Sequence, residues 1–60
     1  MAGKFVIRKS GEQYDFVLKS GNGETIATSE RYTTKQGARD GVEAVKRTAA
    51  DADTEDATGE

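Results

Sequence analysis

The tripeptide Gly21-Asn22-Gly23 constrains the fold of this chain more than any other stretch, because it predicts a tight hairpin. The apolar run Phe16-Val17-Leu18 precedes it and Ile26 follows it. An Asn-Gly pair between apolar runs is the strongest short-range hairpin signal that a sequence carries. Gly23 adopts a positive φ at no steric cost, and Asn22 tolerates that region better than most residues. We therefore expect two antiparallel strands to meet at this turn.

A second hairpin is predicted upstream, where residues 4–9 form the first strand and Ser10-Gly11-Glu12-Gln13 forms the turn. Pairing Lys9 with Tyr14 gives a register in which both faces of the sheet are chemically sensible. Cross-strand apolar pairs and opposite-charge pairs each stabilise a sheet by about 0.2–1 kcal/mol. The pairs expected in this register are Ile7 with Phe16, Phe5 with Leu18, Val6 with Val17, and Arg8 with Asp15.

The register of the downstream hairpin is open between two alternatives. A two-residue loop at Asn22-Gly23 pairs Leu18 with Ala27 and turns Ile26 to the face opposite Phe16. A three-residue loop that includes Gly21 and a bulge pairs Leu18 with Ile26. We favour the bulged loop because it gathers the large side chains on one face, and a slip of one residue would move them all to the other face.

A helix is predicted from about Lys35 to Thr48. Thr33 with Gln36 fits a capping box, and Thr34 is the alternative cap. An apolar stripe at helical spacing marks the buried face. Its residues are Ala38, Val42, Val45 and Ala49.

Small residues lie beside that stripe, at Gly37, Gly41 and Ala44. Each glycine inside a helix costs about 1 kcal/mol relative to alanine, so we expect both glycines to face closely packed backbone. The predicted fold is therefore α+β, a three-stranded antiparallel sheet followed by one C-terminal helix.

Charge divides the chain into a domain at residues 1–50 and an acidic tail at residues 51–60. The domain holds nine basic side chains against six acidic ones, a charge of +3, and the tail holds five acidic ones, a charge of −5. Because the tail contains only Asp, Glu, Ala, Thr and Gly, it is predicted to be disordered. The chain contains no apolar run as long as a signal peptide or a membrane span, so we expect no membrane association.

The chain contains no Cys and no His, which limits both its location and its chemistry. The lack of Cys favours the cytoplasm and excludes disulfides and thiolate metal sites. Nine large aliphatic and Phe side chains make a thin core for 60 residues, and small domains without such braces commonly complete their burial against a partner chain. We therefore expect a homodimer.

Several segments together resemble the YegP-like family of small uncharacterised proteins, over roughly residues 3–50. The matching segments include Tyr14-Asp15-Phe16-Val17-Leu18-Lys19, and the most specific are the turn Asn22-Gly23-Glu24 and the helix pattern Gly41-Val42-Glu43-Ala44-Val45. The resemblance implies the same β-β-β-α fold, and it identifies the chain as similar to single-repeat members. Other members carry two tandem repeats packed together, and a single-repeat member resembles half of that unit. The resemblance therefore also implies a homodimer. Arg31 and Asp40 depart from the glycine and asparagine expected there, and the family has no established activity.

Catalysis is not predicted, and no catalytic, cofactor-binding or metal-binding residue is assigned. Asp15 with Glu30 is the best acid–base candidate, but two solubilising charges at the sheet explain both residues more simply. The serines have no His to activate them. We expect a protein that is not an enzyme.

Two functions remain, and the first is a small homodimeric interaction or structural module. The sheet face and the small-residue strip of the helix are alternative dimer surfaces, with the candidate residues Val6, Val17, Gly37, Gly41 and Ala44. The second is a weak nucleic-acid or acidic-ligand binder that is modulated by the acidic tail. The basic residues that could form its binding patch are Lys4, Arg8, Lys9, Lys19 and Lys35, with Arg8, Lys19 and Lys35 as the candidate site. The aromatic residues that would stack on bases are Tyr14, Phe16 and Tyr32.

Overall fold

A computed structural model describes residues 3–60, so the first two residues of the predicted domain lie outside it. Three strands form one antiparallel sheet in the order β1-β2-β3, and a helix follows them. The predicted α+β class with β-β-β-α order is confirmed. The elements are β1 (Lys4–Ser10), β2 (Gln13–Lys19), β3 (Thr25–Thr28) and α1 (Lys35–Asp51).

The pairing of β1 with β2 follows the predicted register along its whole length. Ile7 lies opposite Phe16, Phe5 opposite Leu18, and Lys9 opposite Tyr14. Phe5, Ile7, Phe16 and Leu18 share the face that becomes the core, whereas Val6 and Val17 point to the other face. The turn closes at Gly11, whose φ of 61° lies in the left-handed region.

The downstream hairpin has the three-residue loop that we favoured, but it pairs Leu18 with Ala27, as the two-residue alternative would. The N–H of Ser20 donates to the carbonyl of Glu24 at 2.8 Å, and Gly23 has a φ of 91°. These features belong to a three-residue loop at residues 21–23. A second irregularity then shifts the pairing between Leu18 and Lys19, so Leu18 lies opposite Ala27. The expectation that Leu18 pairs with Ile26 is therefore wrong.

The cause of this shift is a β-bulge in β3 at Thr25 and Ile26. Lys19 pairs with Thr25 and Leu18 with Ala27, which leaves Ile26 as the extra residue. Because successive side chains of a strand point to opposite faces, Ile26 points away from the face of Leu18 and Ala27. Ile26 is 62% exposed, so the expected gathering of large side chains on one face does not include it.

The core lies between α1 and the face of the sheet that carries Phe16. Tyr32, which follows β3, stacks on Phe16 with ring centroids 6.1 Å apart, and Phe5 meets the same ring edge-on at 5.9 Å. Ala38 and Val42, both in the first half of the helix, are its buried residues. The backbone N–H groups of Tyr14 and Tyr32 each donate to the carbonyl of the other residue, and these two hydrogen bonds hold Tyr32 against β2.

The helix begins at Lys35 with Thr34 as its N-cap. The hydroxyl of Thr34 accepts a hydrogen bond from the N–H of Gly37 at 2.9 Å. Of the two alternatives, Thr34 is thus the cap rather than Thr33. The helix ends at Asp51, and residues 52–60 contain neither helix nor strand and are exposed. The disorder expected of that tail stays a prediction.

Gly41 is where the helix approaches the aromatic residues most closely. A Cβ added there would lie 2.5 Å from the hydroxyl oxygen of Tyr32 and 3.1 Å from Cε2 of Phe16. The expectation that Gly41 faces closely packed backbone is therefore wrong, because the atoms nearest to it belong to the rings of Tyr32 and Phe16. At Gly37 the nearest atoms are Oγ1 of Thr34 at 3.1 Å and Cβ of Tyr32 at 3.5 Å.

We predict that Gly41→Ala lowers the thermal unfolding midpoint, although alanine favours helix by about 1 kcal/mol over glycine. The added methyl group would force the stacked Tyr32 and Phe16 rings apart, and overpacking typically costs about 1–3 kcal/mol. Gly37→Ala is the matched control, with the same gain in helix propensity and a looser surrounding. A Gly41→Ala midpoint equal to or above that of the wild type would contradict the packing described here.

We predict that Gly23→Val destabilises the protein by more than about 1 kcal/mol, because a β-branched residue disfavours positive φ. Gly23→Asn is the control, since asparagine enters that region more readily. Chemical denaturation measures both variants. Equal stability of wild type and Gly23→Val would exclude a left-handed residue at the turn.

Candidate functional site

Asp15 is held as an ion by arginine and is not poised as a catalytic acid. Nε and Nη2 of Arg8 donate to its two carboxylate oxygens at 3.0 and 2.9 Å. These hydrogen bonds, together with the positive charges of Arg8 and Arg31, lower the pKa of Asp15 below its ordinary value. A general acid needs a raised pKa, so this environment does not suit that role.

The proposed partner in acid–base chemistry, Glu30, lies elsewhere. It lines the helix side of the sheet, whereas Asp15 shares the opposite face with Arg8. Among residues 3–60, no group of three or more carboxylates lies close enough together to hold a metal ion. Within the same range, no helix has the length and apolar character needed to cross a membrane.

An apolar groove of about 260 Å³ opens on the helix side of the sheet, next to the second half of α1. The bulge in β3 shapes it, because the small side chain of Ala27 stands opposite Leu18. Apolar and aromatic side chains form most of its walls. They are Phe5, Phe16, Leu18, Ala27, Tyr32 and Val45.

The apolar stripe of α1 continues past this groove without a cover. Every residue from Glu43 to Asp51 is exposed, and Val45 has an exposed fraction of 37%. The predicted stripe of Ala38, Val42, Val45 and Ala49 is thus buried only at its first two positions. Val45 joins the groove to a shallow apolar surface on the helix, formed with Ala44, Thr48 and Ala49.

The opposite face of the sheet carries the pair Ser10 and Gln13 next to the first turn, and beyond that pair its side chains form three rows across the strands. Arg31 belongs to the last row because the bridge between Tyr14 and Tyr32 sets it beside Asp15, and its Nη1 donates to Oε1 of Gln13 at 3.3 Å. We call this surface the open face. Its rows are Lys4-Lys19-Thr25, Val6-Val17-Thr28 and Arg8-Asp15-Arg31.

The candidate dimer residues fall on different surfaces. Gly37 and Gly41 face Tyr32 within the same chain, whereas Ala44 lies exposed beside Val45. On the open face, Val6 is half-buried and Val17 is only 2% exposed. The accessible apolar surface of that face therefore comes more from Ile26 than from Val17.

The candidate basic patch is divided in the same way. Arg8 and Lys19 lie in the outer rows of the open face, and Lys35 lies in the first turn of the helix. Lys4 and Arg31 take the place of Lys35 in the cluster. Lys4 was among the basic residues considered from sequence, but Arg31 was not, because the Tyr14–Tyr32 bridge that places it has no turn or periodic signal in the sequence.

The aromatic residues are not available to stack on nucleic-acid bases. Phe16 is only 5% exposed, and Tyr32 packs on it from the helix side. Tyr14 is half-buried, with the ammonium group of Lys9 at 5.7 Å from the centre of its ring. The basic residues of the open face thus stand without an aromatic platform.

We predict that Asp15→Asn lowers stability near neutral pH and has no such effect in strong acid. Because the folded-state pKa of Asp15 is depressed, its ion pair stabilises the fold above the ordinary carboxyl pKa of about 4. That contribution is lost as the pH falls through the folded-state pKa. Thermal midpoints at about pH 7 and about pH 2 measure the difference from the wild type.

The control for this experiment is Glu12→Gln, which removes one carboxylate from the exposed first turn. A gap between Asp15→Asn and the wild type that persists unchanged in acid would show that the carboxylate charge is not what stabilises the fold.

Comparison with known proteins finds one family model that matches residues 9–56, described as a domain of unknown function (DUF1508). A UPF0339 protein of Bordetella pertussis is 53% identical over 51 residues, which are 85% of this chain and 46% of that protein. The UPF0339 protein YegP of Escherichia coli K12 is 55% identical over 47 residues, which are 77% of this chain and 43% of that protein. The chain thus spans less than half the length of these curated relatives.

A solved structure shares the fold. The NMR solution structure of a protein from Haloferax volcanii superimposes with a TM-score of 0.80 at 36% sequence identity. The match covers 93% of this chain and 97% of that one. A β-β-β-α unit of this size is therefore also found in a protein of nearly the same length.

Proposed function

The chain belongs to the YegP-like family defined by the DUF1508 domain, whose function is unknown, and we propose that it is a small homodimeric interaction module without catalytic activity. The observation that carries this proposal is the uncovered apolar stripe on the second half of α1, which runs into the groove beside Leu18 and Tyr32. An amphipathic helix gains most of its stability by packing its apolar face. Here half of that face lacks a partner within residues 3–60.

We assign the second copy to the surface formed by the groove and the helix stripe. Ala44 and Thr48 are small, so another helix can approach closely there, and Val45 offers an aliphatic contact at the centre. A two-fold axis through such a surface would bury the same residues of both copies. Ala44 is the one residue of the predicted dimer interface that lies on it.

The lengths of the relatives support this assignment. Each match covers less than half of its relative, so a relative has room for a second unit of the same size within one chain. A homodimer of this chain would bring together the same number of units. We propose no catalytic activity because Arg8 keeps the best acid–base candidate, Asp15, as a paired carboxylate. We also propose a cytoplasmic location, because the sequence has no cysteine.

We predict that the wild type sediments as a dimer at micromolar concentration and that Val45→Glu weakens this dimer at least tenfold. Full burial of a valine is worth about 1.5–3 kcal/mol, the variant removes it from both copies, and about 1.4 kcal/mol corresponds to a factor of ten. Equilibrium sedimentation measures association, and circular dichroism verifies that the variant remains folded.

The matched control is Arg47→Glu, which places the same side chain two residues further along the helix. Equal association of Val45→Glu and Arg47→Glu would exclude the helix stripe as the interface. A stable, folded wild-type monomer at all accessible concentrations would refute the homodimer itself.

A further inference from the structure

The open face carries an uncompensated pair of like charges at one end. Lys4 lies directly opposite Lys19 on the neighbouring strand. Like charges in this position destabilise a sheet. The salt bridges within residues 3–60 join Arg8 to Asp15 and Lys46 to Glu43, so neither lysine of the pair has a carboxylate partner there. An anion placed between the two ammonium groups would turn this repulsion into attraction.

The other end of the open face also has a surplus of positive charge. Asp15 is hydrogen-bonded to Arg8 and lies within the electrostatic field of Arg31. One negative charge therefore offsets only one of the two guanidinium charges. Over both ends, four basic side chains face one acidic side chain, a charge of +3. The two ends are four residues apart along β1, which is about 13 Å in an extended strand.

We propose that this face binds the acidic tail, residues 52–60, of a second copy of the chain. The tail carries four carboxylates and is exposed along its whole length. In the structure the N–H and hydroxyl of Thr58 donate to the Asp56 carboxylate, so Asp56 lies in a local turn. Binding would open this turn. In an extended tail Asp56 and Glu60, four residues apart, are about 13 Å apart and match the two cationic ends. The body of the chain is positive and the tail negative, which favours their encounter at low salt.

The middle row of the face favours a peptide over a nucleic acid. Val6 and Val17 separate the two cationic ends, and the accessible apolar surface there comes from the half-buried Val6 and the exposed Ile26. These aliphatic groups offer nothing to a phosphate backbone, and the open face has no aromatic ring on which a base can stack. In an extended tail Thr58 points to the same side as Asp56 and Glu60, so its short side chain would lie over this middle row.

The position of the tail favours a second copy over the tail's own face. The tail continues from α1, which covers one side of the sheet, while the basic rows lie on the other side. Within residues 3–60, the hydrogen bonds that involve side chains of the tail stay inside the tail, and no salt bridge joins it to the open face. This contact is separate from the groove and the helix stripe, so it does not depend on the proposed dimer.

The test is paramagnetic relaxation in full-length protein. Because the chain contains no cysteine, Ala57→Cys provides one site for a spin label. Labelled protein without isotopes is mixed with ¹⁵N-labelled wild type. We expect selective loss of the amide signals of Lys4, Arg8 and Lys19 in the wild-type copies. The loss should disappear at about 1 M salt, where the Debye length is about 3 Å.

Charge variants locate the contact. Lys4→Gln with Lys19→Gln should abolish the signal loss, whereas Lys35→Gln with Arg39→Gln, on the helix, should preserve it. The same pairs are compared by equilibrium sedimentation at high salt. There the groove dimer should persist in both, so a failure of the tail contact is distinguishable from a failure of the dimer.

Three outcomes would overturn the proposal. The first is signal loss within the spin-labelled molecules only, which would assign the tail to the open face of its own chain. It is measured with ¹⁵N-labelled, spin-labelled protein diluted into protein that carries neither label. Another is signal loss spread evenly over the helix and sheet. The last is a single-stranded RNA decamer that displaces the same amide signals while the tail produces none, which would assign the face to nucleic acid.

Discussion

The contact between Gly41 and the stacked rings of Tyr32 and Phe16 is the constraint on which the rest of this structure depends. It sets how near α1 comes to the sheet, and Tyr32 in turn is fixed to β2 by reciprocal backbone hydrogen bonds. A side chain at position 41 would lift the helix from Phe16. Of the buried apolar side chains, Phe16, Ala38 and Val42 lie at this contact, and Val17 is buried on the other face of the sheet.

Two unlike surfaces follow from this local packing. Because α1 is held at its first half, its second half leaves an apolar groove and stripe uncovered on one side of the sheet. No helix within residues 3–60 covers the other side, which presents charged rows around a narrow aliphatic strip. The first surface suits a long-lived contact between copies of the chain, since its energy comes from apolar burial. The second suits a contact that changes with salt.

The elements and the first register were predictable from sequence because their signals are local and agree with one another. Turn chemistry, alternation and the cross-strand pairs all favoured the same pairing of β1 with β2. The β3 register was not predictable, since the loop at Gly23 and the bulge at Ile26 act independently and each shifts the pairing. Burial along α1 was overestimated because periodicity shows which face is apolar but not how far the sheet extends beneath it. Arg31 was missed because a single bridge outside the strands places it.

The bulge at Ile26 also affects how readily β3 can pair with strands of other molecules. A flat, regular edge strand exposes a row of unpaired backbone groups to which strands of other molecules can add without limit. β3 has only four residues and is kinked at its second, so its outer edge offers a short and twisted template. An exposed isoleucine on a straight edge would promote fibril formation. On this broken edge, the same side chain remains accessible without an adjacent ladder of free donors and acceptors.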